Sequence, residues 1–378
     1  MQNSAADSHF IANVIAAKVK EKTDYPVYEI AQDVNRIHRV QVSYWQAYRA
    51  KEKVINDLNG TAEEGYATLP QYCENFEKPI QVVFPSLKPL LTIQGVLLFS
   101  RQLFQMALMA MSDGNESKFK RLFISYEATI NGFVHCRPLL GLDGTHLTSK
   151  YGGILLAATA PDARGQLFPV AFAIVSVEND DNWEWFLRNL HSIVKDNLPV
   201  SITATDDITF LSDRQKGLLE GVATWFPGSA HAYCLRHLVD NFSKRFKHKD
   251  LISLLWQAAR ATTEAEFHTA CNAMRAINFQ CVEWLLGTAH PMHWATVYFR
   301  GRRYGHLTSN IAESLNAWLL QARSLPIEGM LEAIREKLMG WFAERRDFAT
   351  KHHDLRLVPE VHSYLCNKSS TNGRRFKL

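Results

Sequence analysis

The clearest hydropathy pattern lies between Pro138 and Val194. Leu140-Gly141-Leu142 ends in Asp143-Gly144-Thr145-His146, Gly152-Gly153 opens a second apolar run from Ile154 to Thr159, and the turn Pro161-Asp162-Ala163-Arg164-Gly165 leads to a third, Phe168 to Val175. Short apolar runs bounded by Gly, Pro and Asp predict buried strands joined as an antiparallel meander. Behind them Trp183, Phe186, Leu187, Leu190 and Val194 recur at three-to-four spacing, which predicts a helix over Asn182 to Val194 covering one face of that sheet. Further on, Ile208, Phe210 and Leu211 predict a strand that delivers Asp213 to its end, where a helix starts and tolerates negative charge. Asp206 and Asp207 come earlier and read as turn residues, and Ser229 to Cys234 predicts a further strand.

The flanks carry a different period. Residues 8–78 read as helical, with turns at Thr23-Asp24-Tyr25-Pro26, Val40-Gln41-Val42-Ser43 and Leu58-Asn59-Gly60-Thr61. Val27 to Ile37, a short turn and a helix capped by Ser43 have helix-turn-helix proportions. Arg49, Lys51 and Lys53 on the second of these helices are candidates to meet DNA phosphate, and an ordinary helical bundle with a solvated basic face is an equal reading. Residues 79–117 read as an atypical linker, or in part as a helix lying on the core, before Phe119 to Ser125 supplies a strand. The polar residues within Gly95 to Met111 argue against a membrane span. Leu235 to Arg300 shows no strand pattern and predicts an all-helical insertion over 235–303, in which Trp284 or Trp294 would be placed to stack on an unpaired base. The core returns over 304–365: Ile311, Leu315, Trp318 and Leu319 share a face with Glu313 pointing away from them, and Met330 to Phe348 forms a second amphipathic helix. The expected division is therefore 1–78, 79–117, 118–234, 235–303, 304–365 and a basic tail, 366–378.

Composition narrows this little. A chain of 378 residues with 47% hydrophobic content supports two or three domains, and 42 Lys and Arg against 38 Asp and Glu leave a net charge of +4, which neither announces nor excludes nucleic acid. Six scattered cysteines and no signal peptide point to a reducing compartment, cytosol or nucleus.

The chemistry lies in the acids. An aspartate at each of two strand ends and a glutamate on a later helix are what a two-metal phosphoryl-transfer site requires, because Mg²⁺ takes oxygen ligands and a pair of ions about 3.5–4 Å apart serves both the attacking and the leaving oxygen. Leu142-Asp143-Gly144-Thr145-His146, Lys150-Tyr151-Gly152-Gly153, Ser212-Asp213-Arg214-Gln215-Lys216-Gly217, Tyr233-Cys234-Leu235-Arg236-His237-Leu238 and Ser309-Asn310-Ile311-Ala312-Glu313-Ser314-Leu315-Asn316 follow one another in the order and spacing of the Mutator-like (MULE, MuDR-type) transposases, which this chain resembles. The resemblance implies an α/β (α+β) protein with a ribonuclease-H-like mixed-sheet core, a helical insertion and an N-terminal helical region. It also implies a DDE triad of Asp143, Asp213 and Glu313 holding two Mg²⁺ or Mn²⁺ ions. The implied partner is double-stranded DNA at terminal inverted repeats, with a homo-oligomer acting in the nucleus and no membrane. Residues 80–112 do not resemble the family, and no Cys/His knuckle follows the last helix. A domesticated DNA-binding regulator and an inactive element fragment are the alternatives. Cys234 and His237 form the CxxH of the motif; they offer two zinc ligands, with His290, His293 or His306 as candidates to complete a site, or else a core cysteine with a histidine bonded nearby.

Overall fold

The apolar periodicity of residues 8–78 folds into four helices: α1 (Ser8–Glu21), α2 (Val27–His38), α3 (Tyr44–Asn59) and α4 (Ala62–Glu77). Ile11, Ile15 and Val19 of α1, Ile30 and Val34 of α2, and Ala47, Ala50 and Val54 of α3 are buried. Local chemistry fixes their ends. Asp7 accepts from Phe10 N, α2 stops at Arg39 in the left-handed region (φ 58°), and Ser43 with Gln46 forms a reciprocal capping box at the start of α3.

The computed structural model describes residues 7–77, 104–113, 116–197, 208–352, 357–363 and 365–366. The chain divides into two units: Met1–Glu127, His146–Gly153 and Trp318–Glu344 in the first, and Ala128–Thr145, Ile154–Ala317 and Arg345–Leu378 in the second. Besides the four helices, the first unit holds strands β1 (Phe104–Asp113) and β2 (Glu116–Tyr126), paired antiparallel from Phe104 opposite Tyr126 to Asp113 opposite Glu116. Residues 104–113 therefore depart from the linker or covering helix expected for them: β2 offers a full edge that satisfies their backbone groups. The rest of that stretch, the turn at Asp206-Asp207 and nearly all of the basic tail lie outside the described residues.

In the second unit a short helix α5 (Glu127–Phe133) precedes the meander β3 (Leu139–His146), β4 (Ile154–Pro161) and β5 (Leu167–Val175), then α6 (Asp180–Asn197), β6 (Thr209–Ser212), α7 (Lys216–Trp225) and β7 (Ala230–Tyr233). The order across the sheet is β5-β4-β3-β6-β7; β4 and β5 pair antiparallel, whereas β3–β6 and β6–β7 pair parallel. This is the mixed α/β sheet expected for the core. Every residue of β4 and nearly every residue of β5 is buried, which is why these strands read as continuous apolar runs without alternation. Trp183, Trp185, Phe186, Leu187 and Leu190 line the buried side of α6.

The predicted insertion is helical: α8 (Leu235–Arg245), α9 (Lys249–Arg260), α10 (Glu264–Ile277) and α11 (Phe279–Thr288). Leu238, Phe242, Leu255, Phe267, Met274, Leu285 and Trp294 share a hydrophobic core of their own within the second unit. Trp294 is fully buried and donates to Ala289 O, while Trp284 packs half-buried beside Phe242 and Phe246. Neither ring stands free, so the stacking role expected of them is set aside. The chain continues through α12 (Asn310–Trp318) and α13 (Ile327–Lys351).

Candidate active site

β3 and β6 run side by side in parallel, with Leu139 opposite Thr209 and Gly141 opposite Leu211. Carried two residues on, that register sets Asp143, which lies inside β3 three residues before its end, level with Asp213, which follows the last residue of β6; β3 therefore runs past the acid at which the sequence pattern ended it. A third element reaches the same strand. A Cβ built on Gly141 would lie 3.2 Å from Thr159 Oγ1 and 3.6 Å from Ala312 Cβ, so glycine on β3 and alanine on α12 let helix and strand approach closely. Ala312, Leu315 and Leu319 are buried, while Ile311, expected on the inward face, is partly exposed. Leu315 and Leu319 hold the predicted stripe, and Ala312 takes the buried place expected of Ile311. Next to Leu315, Asn316 reaches the sheet, where its Nδ2 donates to Asp143 Oδ2 at 2.9 Å.

Asp143 is the most perturbed acid of the site. Burial pushes its pKa up to about 6; the Asn316 hydrogen bond and the nearby His237 oppose that rise, and the charge of Asp213 adds to it. The two aspartates are thus brought into each other's field, as the sequence predicts. Asp213 Oδ1 accepts from Gln215 N at 3.0 Å, and Gln215 in turn caps α7 by accepting from Leu218 N at 2.9 Å, so the turn that carries Asp213 is fixed by its own backbone bonds.

Glu313 has different company. It stands three residues before Asn316 on α12, on the same side of the helix, but its Oε2 is ion-paired with Arg236 Nη1. Among the described residues no group of three or more His, Cys, Asp and Glu side chains is arranged to hold a metal ion. Two carboxylates within each other's field, one of them reluctant to ionise, nevertheless suit a divalent cation, since Mg²⁺ is commonly held by one or two carboxylates with waters and substrate phosphate oxygens completing its octahedron. The residues fit one such ion at Asp143 and Asp213. They do not form a ready three-carboxylate cage.

The CxxH pair borders this site. Cys234 is buried at the start of α8, and its sulfur accepts from Ser309 N at 3.4 Å and Ser309 Oγ at 3.1 Å. Burial raises the thiol, but the polar contacts with His237 and Ser309 outweigh it and leave Cys234 below its ordinary value. The adjacent Cys234 holds His237 up to about 9 against its own desolvation, and the charges of Asp213 and Asp143 act in the same sense. His237 Nδ1 is buried with no well-aligned hydrogen-bond partner. Two of the other histidines considered for zinc have separate engagements: His293 Nδ1 bonds His231 O at 2.8 Å and its ring stacks on Tyr233 at 4.4 Å, and His290 Nδ1 accepts from Met292 N at 3.3 Å. The arrangement matches the alternative reading of CxxH, a core cysteine beside a histidine, and that histidine's positive charge faces the aspartate pair. Sequence reasoning had not marked Asn316 or Arg236 as parts of the site, although both fall inside the quoted motifs.

In the first unit, of the residues expected to meet phosphate, only Arg49 presents an exposed side chain, its Nε bonded to Trp45 O. Lys51 Nζ donates to Tyr25 O at 2.8 Å and is half-buried, and Lys53 Nζ meets His9 Nδ1. Desolvation lowers the pKa of Lys51.

Residues 139–241 match the family model of the MULE transposase domain. The resemblance read from the motifs is thereby found again over the segment that carries Asp143, Asp213, Cys234 and His237; Glu313 lies beyond it. No curated protein matches the chain. A MULE transposase domain implies a transposase-related function and interaction with DNA in general. Among the described residues no helix is long and apolar enough to cross a membrane.

Proposed function

We propose that the second unit is the catalytic core of a DDE-type transposase that cleaves DNA strands and transfers them, acting on terminal inverted repeats in the nucleus as an assembly of copies. The observation that carries this reading is the placing of Asp143, within β3, beside Asp213, just past the parallel strand β6, in a family-matched segment, with Asp143 driven to about 6 by burial and by its neighbour. Such a pair is costly as two bare charges and is what a phosphoryl-transfer centre needs. Mg²⁺ or Mn²⁺, when bound, would supply the Lewis acidity that activates a water or a 3′-hydroxyl and stabilises the departing oxygen.

The chain's own residues do the positioning. Asp143 and Asp213 would hold the ion, Asn316 keeps the Asp143 carboxylate oriented by its 2.9 Å hydrogen bond, and the positive His237 limits the negative charge of the pair between turnovers. Glu313 is the third carboxylate, kept in reserve by Arg236. DNA phosphate entering beside Arg236 would compete for the guanidinium and free Glu313 to complete the site. Arg49 would contribute a phosphate contact from the first unit.

The test is cleavage of a labelled duplex bearing the element's terminal repeat, in Mg²⁺, by the wild type and by Asp143→Asn. Loss of one carboxylate ligand should reduce cleavage by about three orders of magnitude or more, equivalent to ~4 kcal/mol of barrier, with duplex binding retained. Equal cleavage by both proteins would discard the site. Binding without cleavage by either would support the second reading, a DNA-binding regulator, which the Arg236–Glu313 ion pair favours.

A further inference from the structure

We propose that the corner between α8 and α9 in the helical insertion is a second DNA-binding surface, one that grips duplex phosphates close to the aspartate pair; the proposal rests on the transposase reading of that pair. The corner reads Lys244-Arg245-Phe246-Lys247-His248-Lys249. Its four Lys and Arg residues carry as much formal charge as the net +4 of the whole chain. All four are exposed, as is His248, while Phe246 turns inward beside Phe242 and Trp284. Among the described residues none of the four forms an ion pair; the acid engaged locally is Asp250, 3.9 Å from His248 Nδ1.

The fold explains only half of this charge. Lys244 and Arg245 lie in the last turn of α8, where cations offset the helix dipole, and Arg245 also lies over the rings of Phe246 and Trp284. Lys247 and Lys249 have no such excuse. His248 caps α9 without a side-chain hydrogen bond and Lys249 is its first residue, so these cations crowd the positive end of a helix, where they cost stability. Unpaired lysines kept in an unfavourable place suit an anionic partner.

Helix α8 also sets the distance. It begins next to Cys234 and runs through His237, which faces the aspartate pair, to Arg245. Eight residues at 1.5 Å each place the corner roughly 12 Å along the helix from His237. Phosphates along one strand of a duplex recur about every 3.4 Å, so a strand whose scissile phosphate lies at Asp143 and Asp213 would bring phosphates about four nucleotides away within reach of the corner. An extended polyanion of regular charge spacing matches both the span and the sign, which is why duplex DNA is preferred here over an acidic protein.

The experiment compares full-length wild type with Lys247→Ala/Lys249→Ala, which spares Arg245 and its ring contacts. Binding to a fluorescent duplex of about 30 base pairs and to a labelled polyglutamate is measured by anisotropy across a salt series, after equal melting temperatures have been verified. Two lost phosphate contacts should weaken duplex binding and make the slope of log K against log salt less steep by about 2. Unchanged duplex affinity and slope would overturn the surface while leaving the aspartate site's reading intact. Loss of polyglutamate binding alone would assign the corner to an acidic protein and equally overturn it. Failure of the wild type to bind any duplex would remove this proposal together with the reading it rests on.

Discussion

The strand-borne acids and the helix-borne acid of the second unit lie within a few residues of common neighbours, yet they meet different fates. Asp143 lies on β3 and Asp213 just past β6, two parallel strands in fixed register, so backbone hydrogen bonding brings them together, and each is then held by a hydrogen bond, from Asn316 Nδ2 and from Gln215 N. Glu313 has three flexible side-chain torsions on the flank of α12 and takes the nearest cation, Arg236. Acids on strands are placed by the fold; an acid on a helix flank is placed by whatever charge is present. Under the proposed function, this difference predicts that the aspartates would bind an ion before DNA arrives and that the glutamate would join afterwards.

That contrast is broken or sharpened most strongly by magnesium itself. Saturating Mg²⁺ without DNA should stabilise the wild type, by about 2.7 kcal/mol at a hundredfold excess over its Kd. Asp143→Asn and Asp213→Asn should each abolish the stabilisation, whereas Glu313→Gln should keep it and lose cleavage. Thermal unfolding with and without Mg²⁺ makes the comparison, and removal of the ion by a chelator should return the wild type to its starting midpoint. Loss of the magnesium effect in the Gln variant would mean that Glu313 is already in the site without DNA.

Protons should report the same pair in metal-free buffer. Burial raises the pKa of Asp143 to about 6 in the folded chain, against roughly 3.9 when unfolded. The folded state therefore holds a proton that the unfolded state gives up, and the stability this provides is fully present below the unfolded value and lost as pH rises through about 6. Burial of this carboxylate is incomplete, so an effect of about 2 kcal/mol is expected rather than the full value of the shift. Asp143→Asn cannot ionise, and its stability relative to wild type should rise by that amount between pH 4 and pH 7. Urea denaturation of both proteins across this range checks it; a constant difference would show that Asp143 is not strained.

The same contrast separates what could be read from the sequence from what could not. The meander, α6 and the positions of Asp143 and Asp213 were legible because a buried strand writes itself as an apolar run and an acid interrupts that run, although β3 continues past Asp143 to His146. The face of α12 was legible only in part: Leu315 and Leu319 are buried as their spacing predicts. Leucine and isoleucine spacing pointed to Ile311, but Ala312 is the residue that packs, since only a small side chain fits against Gly141, and that is a matter between two segments 171 positions apart. Lys51 and Lys53 looked like phosphate ligands for a similar reason: nothing local foretells that Tyr25 O and His9 will engage their amines. Residues 104–113 were hidden because their pairing partner, β2, defines them as a strand more than their own composition does.

Asn316 offers a finer probe of the strand-borne pair. Its amide donates to the ionised carboxylate, so it favours the charged form of Asp143. Asn316→Ala should raise the Asp143 midpoint by about one further unit, visible as a shift of the carboxyl titration followed by NMR and as an alkaline displacement of the acid limb of cleavage. An unmoved midpoint would reduce Asn316 to a packing residue.

The smallest expected effect concerns the helix-borne acid. Arg236 and Glu313 are partly solvated, with side-chain exposures of 52% and 30%, and an ion pair in such surroundings contributes at most ~1 kcal/mol. Arg236→Gln should therefore leave the metal-free melting point nearly unchanged. If Arg236 holds Glu313 in reserve, however, the substitution frees a third carboxylate beside Asp143 and Asp213, and Mg²⁺ should bind the DNA-free protein a few-fold more tightly, since the ion no longer competes with a guanidinium worth about 1 kcal/mol. Pairing this variant with Glu313→Gln isolates the effect. In the double variant the gain should vanish, because there is no carboxylate left to release. A gain that persists in the double variant would come from the removed positive charge acting directly on the aspartates, and Glu313 would then have no part in metal binding before DNA or because of Arg236.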